Sequence, residues 1–312
     1  MKFSWPLKLS PVHWGLILFV VTQVIILLVV TRMDPFLEEQ NIYVPSQPAE
    51  DVTWWPGEVT LPSGDIVEVP AYSSAGPVII YIFAVVVVLG VVLCVIPISA
   101  LKLLLRVLFA ALFGWGGFIA TVFYLPYQAA VAVGVVLGAV WFVIPLVWFH
   151  NLVLVIALAS VAAVFGRFIS PWTAMILMLA LAVYDFLAVR FGFMTWMADK
   201  LARTDTLPAI IIPKNYNGWG LNLKRDGVND LLEEKPGSRK FSILGGGDIA
   251  FPGLLTAAVY FSQGLTPALI IAGFGLLGLA GAYAIQAVFL KGKAMPALPP
   301  IAAFALIGLL VI

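Results

Sequence analysis

Nine stretches of about twenty mostly apolar residues dominate this chain, near 12–31, 78–99, 103–125, 129–148, 151–168, 172–190, 241–262, 267–289 and 295–312. Each is long enough to cross the hydrocarbon core of a bilayer as one helix. Composition points the same way. The 312 residues are 62% hydrophobic and 11% charged, with a mean hydropathy of +1.06, against roughly 45–50% and 25% in soluble domains. Too little polar surface remains to cover a water-exposed body, which excludes soluble enzymes, nucleic-acid binders and disordered chains. A net charge of +1 offers no field for a polyanion partner. The expected fold is an all-α polytopic membrane protein of about nine transmembrane helices, with the lipid bilayer as its solvent.

Lys2 and Lys8 precede the first apolar stretch as they would in a signal peptide. Its length and the lack of a small-residue cleavage site before Arg32 mark it as a retained helix. Two connections are long. Residues 32–77 carry eight acids and one base, Arg32, whereas residues 191–240 carry eight bases. With the N-terminus inside, fifteen of the seventeen basic residues lie on the cytoplasmic side, and only Arg32 and Arg167 lie outside. The positive-inside rule therefore sets the N-terminus in the cytoplasm, the C-terminus outside and the 191–240 loop inside. The chain divides into 1–190, with six helices and the acidic external loop 32–77, the cytoplasmic loop 191–240, and the last three helices in 241–312. In the outer loop, Val59–Leu61 and Ile66–Val69 flank Pro62-Ser63-Gly64-Asp65, which predicts a short hairpin in an ordered external cap. Trp54 and Trp55 beside it suit an interfacial anchor.

Fourteen of the sixteen acids fall in the two long loops. The exceptions are Asp185, in the sixth apolar stretch, and Asp248, in the seventh. A carboxylate at membrane depth is costly and usually faces a cavity where it does work. Asp185 lies five residues before Arg190 and Asp248 eight after Lys240, so both sit roughly 8–12 Å below the cytoplasmic surface. Two close carboxylates share a proton: one can act as base toward water while the other polarises a peptide carbonyl. Position alone leaves three readings open, namely hydrolysis, a proton relay or ion pathway in a transporter, and a structural acid pair.

Neighbouring residues narrow the choice. Gly245-Gly246-Gly247 before Asp248 costs about 1 kcal/mol per residue in a helix and permits local unwinding and close backbone approach. Tyr184 precedes Asp185, with substrate positioning and plain packing both open to it. Pro296 and Pro299 keep the start of the ninth stretch from being a regular helix. The apolar run Leu207–Pro213, between two prolines on the same side of the membrane, fits membrane-surface packing or a strand that pairs with substrate.

Tyr184-Asp185, Gly245-x-Gly247-Asp248 and Pro296-Ala297-Leu298, in that order and at matching depth, resemble the presenilin and signal peptide peptidase family of GxGD-type intramembrane aspartyl proteases. The resemblance covers essentially the whole chain. It implies an intramembrane aspartyl endopeptidase with Asp185 and Asp248 as the catalytic pair, and without a metal or organic cofactor. It further implies that Pro296, Ala297 and Leu298 shape the active site and help hold substrate extended, and the residues themselves add Tyr184, Gly245, Gly246 and Gly247 as candidate substrate contacts. Gly247–Gly253 is more like the signal peptide peptidase version, and Ala294–Pro299 more like the presenilin version. The N-inside orientation is similar to presenilin, which implies single-span protein substrates with their N-terminus outside. The 191–240 loop has no long apolar insert of the kind presenilins cleave in themselves. The sequence is thus most similar to an archaeal presenilin homologue that works as one intact chain, in the cytoplasmic membrane if the source is prokaryotic. A proton-coupled transporter or channel using the same acids is the alternative, although the halves show no inverted repeat.

Other motifs are set aside. Gly273-x-Gly275-x-x-Gly278 fits a dinucleotide fingerprint but has no strand before it, so helix packing with Gly281 explains it better. Gly114, Gly116 and Gly117 read the same way. His13 and His150, near predicted helix ends, read as interfacial. There is no His-Glu-x-x-His for an intramembrane zinc protease and no Gly-x-Ser-Gly for a rhomboid-like serine site. Prepilin-type peptidases share Gly-x-Gly-Asp but not the remaining layout. Cys94, the single cysteine, excludes an intrachain disulfide framework.

Overall fold

The computed structural model describes residues 10–41, 54–60, 66–69, 74–204, 206–224, 241–289 and 295–312. Every apolar stretch forms a helix: α1 (Pro11–Glu39), α2 (Ala75–Val95), α3 (Ile98–Val122), α4 (Tyr127–Val143), α5 (Val147–Gly166), α6 (Pro171–Arg190), α8 (Gly247–Gln263), α9 (Leu265–Val288) and α10 (Leu298–Val311). A short helix, α7 (Phe193–Ala202), follows α6. Six are long and apolar enough to cross a membrane. The others, α4, α8 and α10, have 17, 17 and 14 residues.

Local signals set the helix ends. At α6, Ser170 takes an extended conformation, its hydroxyl accepts the Thr173 N–H, and Pro171 occupies the first turn, where its missing N–H costs nothing. Between α8 and α9 the chain reverses through Gly264 at φ 87°, a left-handed conformation that favours glycine.

Helix α5 is the hub. Two-thirds of its span, 67%, is buried against α1, α3 and α8, whereas α2 is 11% buried and touches only α6 and α7 among the closely packed elements. Polar residues in α5 are satisfied internally: the Ser160 hydroxyl donates to the Gly116 carbonyl of α3 at 2.8 Å. Small residues let the helices close up. A methyl at Gly116 would sit 2.5 Å from the Ala157 Cα, and one at Gly278 2.6 Å from the Ile301 Cα. Gly114, Gly116 and Gly117 of α3 and Gly275 and Gly278 of α9 therefore serve helix packing, whereas a methyl at Gly273 would meet open space. At the end of the bundle opposite α7, Arg167 pairs with Asp34 and lies over the Phe261 ring, joining α1, α5 and α8.

Two small sheets complete the fold. Strands β1 (Gly57–Thr60) and β2 (Ile66–Val69) pair antiparallel with Val59 opposite Val67, as the hairpin reading expects; the turn residues 62–65 lie outside the described residues. Strands β3 (Ala209–Pro213) and β4 (Phe241–Gly245) pair antiparallel with Ile211 opposite Ile243. This second sheet corrects three expectations. Residues 241–245 are strand, so the seventh helix starts at Gly247 rather than 241. Leu207–Pro213 does not lie along the membrane surface; all five residues of β3 are buried. His150 is not interfacial either, being fully buried against β3.

Candidate active site

Asp185 lies in the last two turns of α6 and is 7% exposed. The residue that reaches it is distant in sequence: the backbone N–H of Leu298 donates to its Oδ2 at 3.4 Å. Helix α10 begins at Leu298, so this N–H is one of the first-turn donors with no partner inside the helix. Pro299 and Pro300 follow and carry no N–H, which leaves Leu298 as the donor facing α6. Ala297 precedes it as the helix cap, and Leu298 itself is buried at 4%.

Asp248 is the second residue of α8, half-buried and in its first turn. A helix N-terminus favours a carboxylate there. Its position differs from that expected, since the chain reaches it through a strand rather than through two turns of helix. The carboxylate folds back against Gly245 at the end of β4. Two glycines matter for close approach rather than for unusual dihedrals. A Cβ at Gly245 would lie 2.9 Å from the Asp248 Oδ2, and one at Gly246 would lie 2.7 Å from the Pro208 carbonyl oxygen. That carbonyl accepts the Gly246 N–H at 3.0 Å.

Asp185 and Asp248 lie close enough for their charges to interact, and α6, α8 and α10 pack on one another around them. The structure thus brings together Asp185, Asp248, Gly245, Gly246, Gly247 and Leu298. Pro296 and Ala297 stand at the entrance of α10, half-buried; Lys293 before them lies outside the described residues. The Tyr184 ring meets Phe83 of α2 edge-on at 5.9 Å. Among the described residues no three His, Cys, Asp or Glu side chains gather to hold a metal ion.

The sheet register shows which backbone groups are available beside the acids. Gly246 bonds Pro208, and hydrogen-bonded pairs alternate along an antiparallel ladder. Ile210–Leu244 and Ile212–Ser242 are therefore the bonded pairs, while Ala209, Ile211, Ile243 and Gly245 turn their backbone groups to the outer edges. On the β3 side that edge is taken. Asn151 of α5 donates to the Ile211 carbonyl at 2.7 Å and accepts its N–H at 2.9 Å. His150 meets the Ala209 carbonyl at 3.2 Å. On the β4 side no further strand is present among the described residues, and Ile243 is 42% exposed. Sequence reasoning missed Pro208, His150 and Asn151. A His-Asn pair inside an otherwise apolar helix was the available signal.

Residues 63–312 match the family model described as signal-peptide peptidase, presenilin aspartyl protease. No curated protein matches. Among solved structures, a presenilin family intramembrane aspartate protease in a C222 crystal form aligns with a TM-score of 0.60 at 19% identity, over 96% of this chain and 98% of that one. The structure of a presenilin family intramembrane aspartate protease in a P2 form aligns with a TM-score of 0.51 at 20% identity, over 95% and 94%. At these identities the likeness is one of fold.

Proposed function

Because the chain belongs to the signal-peptide peptidase and presenilin family of aspartyl proteases, we propose that Asp185 and Asp248 are the two carboxyls with which it hydrolyses peptide bonds inside the membrane. The protein is an integral, multi-pass intramembrane aspartyl protease, and its substrates are transmembrane proteins. The transporter reading of the same two acids is not supported. The observation that carries the residue assignment is the convergence of two buried-side carboxyls, from α6 and α8, beside the N-terminus of α10.

The chemistry follows from one proton shared by two acids. The ionised carboxyl takes a proton from water, whose oxygen attacks the scissile carbonyl carbon. The protonated partner gives its proton to the carbonyl oxygen, and a neutral gem-diol forms. Collapse then breaks the C–N bond as the amide nitrogen receives a proton from the first acid. A gem-diol hydroxyl returns its proton to the second, so the pair ends as it began.

A helix hides its scissile carbonyls in its own hydrogen bonds, so the substrate has to be extended where it is cut. The outer edge of β4 fits such a segment, since Ile243 offers an N–H and a C=O three to five residues before the Asp248 turn. Pro296 and Ala297 border the same place from α10, and Tyr184 stands on the α2 side of Asp185. Charge distribution supports a cytoplasmic N-terminus, an external C-terminus and a cytoplasmic 191–240 segment between the two catalytic portions, 1–190 and 241–312. Single-span substrates with an external N-terminus suit that orientation. The chain acts uncut.

The test is cleavage of a single-span substrate by purified protein in liposomes, with fragments mapped by mass spectrometry. Wild type cuts within the span, and Asp185→Asn and Asp248→Asn each lose about 10³-fold or more of the rate. Equal cutting by all three proteins would refute the assignment.

A further inference from the structure

Helix α5 carries adjacent polar residues, His150 and Asn151, in an otherwise apolar turn, and both are buried, 0% and 1% exposed. Neither touches the carboxyls. Both bond the backbone of β3, some sixty residues away. Asn151 uses both ends of its amide on one residue, donating to the Ile211 C=O and accepting its N–H. That reproduces the two bonds a neighbouring strand would make.

His150 receives the Trp141 indole N–H at Nδ1, 3.1 Å away. An indole N–H can only donate, so Nδ1 is unprotonated and Nε2 carries the hydrogen. Nε2 therefore donates to the Ala209 carbonyl at 3.2 Å. Burial of three polar side chains in a membrane helix bundle is costly unless all are satisfied, and here the Asn151 amide, the imidazole and the indole N–H all have partners.

From this edge the connection to the chemistry is short. Strand β3 pairs with β4, Pro208 before β3 holds the Gly246 N–H, and Gly245 at the end of β4 lies directly against the Asp248 carboxylate, where an added Cβ would stand 2.9 Å from Oδ2. We infer that His150 and Asn151 are positioning residues: by occupying the outer edge of β3 they fix the sheet to the rigid hub helix, and so set the register between a bound substrate segment and Asp248. The inference rests on the catalytic assignment above and adds to it what decides which peptide bond meets the acids. The same two residues deny β3 to substrate, so that β4 alone is offered.

Cleavage position in the liposome assay reads this directly, because a purely structural residue alters the amount of active protein and not the bond it cuts. Asn151→Leu keeps the volume and removes both bonds. The expected result is a kcat lower by about 10- to 100-fold, with cleavage spread over neighbouring peptide bonds and faster amide exchange in 207–213 and 241–246. His150→Gln keeps a donor near Nε2 and retains the wild-type cleavage site, whereas His150→Phe spreads it. Trp141→Phe, a milder change should the others fold poorly, spreads it to a smaller degree. An unchanged cleavage site in Asn151→Leu, His150→Phe and Trp141→Phe, at whatever rate, overturns the inference. Asp248→Asn separates the two failures: if it is inactive, the catalytic assignment stands whatever Asn151 shows, and if it is active, the assignment itself has failed.

Discussion

Gly278 tests whether the placement of α10 governs the chemistry. It sits on α9 against the first turn of α10, where an added methyl would lie 2.6 Å from the Ile301 Cα, 3.1 Å from the Pro300 carbonyl oxygen and 3.2 Å from that of Ile301. Ordinary contact begins near 3.4 Å, so Gly278→Ala has to part the two backbones by about 0.8 Å, the difference between 3.4 and 2.6. No side chain can swing aside, since all three atoms belong to the main chain. Overpacking of this kind costs about 1–3 kcal/mol. Leu298 lies one turn away on the same helix, and its N–H already reaches the Asp185 Oδ2 at 3.4 Å. A further 0.8 Å in the unfavourable direction breaks that bond. Misplacement of about 1 Å near a reacting centre costs up to about 10²-fold, which exceeds the fraction of protein lost to destabilisation. The expected result is a folded, monodisperse variant with a slightly lower melting temperature and a kcat reduced by about 10- to 100-fold. Activity within twofold of wild type, at unchanged fold, would refute the argument that α10 positions Asp185.

Three further outcomes follow from the same structure. A dyad that works through one shared proton loses activity when both carboxyls ionise, so the rate in liposomes falls on the alkaline side; a rate rising steadily into strongly alkaline buffer contradicts it. Ser170→Ala removes the cap of α6 and lowers stability by about 0.5–2 kcal/mol, seen as a lower melting temperature with the cleavage site unchanged. Tyr184→Phe keeps the ring contact with Phe83 and raises KM by about twofold to tenfold with kcat preserved; an unaltered KM removes the hydroxyl from substrate positioning.

Much of the bundle was legible because lipid leaves a helix-length apolar run with one solution. The two acids stood out for the same reason, as charges where none is cheap. The second sheet was not legible. Ala209–Pro213 and Phe241–Gly245 are five-residue, mostly apolar runs, too short for periodicity to separate strand from buried helix, and only Gly246, Gly247 and Asp248 separate the second from the apolar run of α8. Their pairing spans a segment whose composition says nothing about register. His150 was misplaced on that account: its partner is the Ala209 carbonyl, so a helix-end position looked interfacial. The start of α10 was readable only to within a turn, because Pro299 and Pro300 fit the first turn of a helix as well as they fit a break before one.

The capped edge of β3 also bears on how substrates share this enzyme. With β4 as the proposed substrate edge and the β3 side closed by helix side chains, the sheet accepts a single extended segment at a time. Two transmembrane proteins presented together are then strict alternatives for one berth. Each slows the other in proportion to its concentration over its own KM, no ternary complex forms, and the abundance of rival spans in the membrane sets the turnover of any one of them.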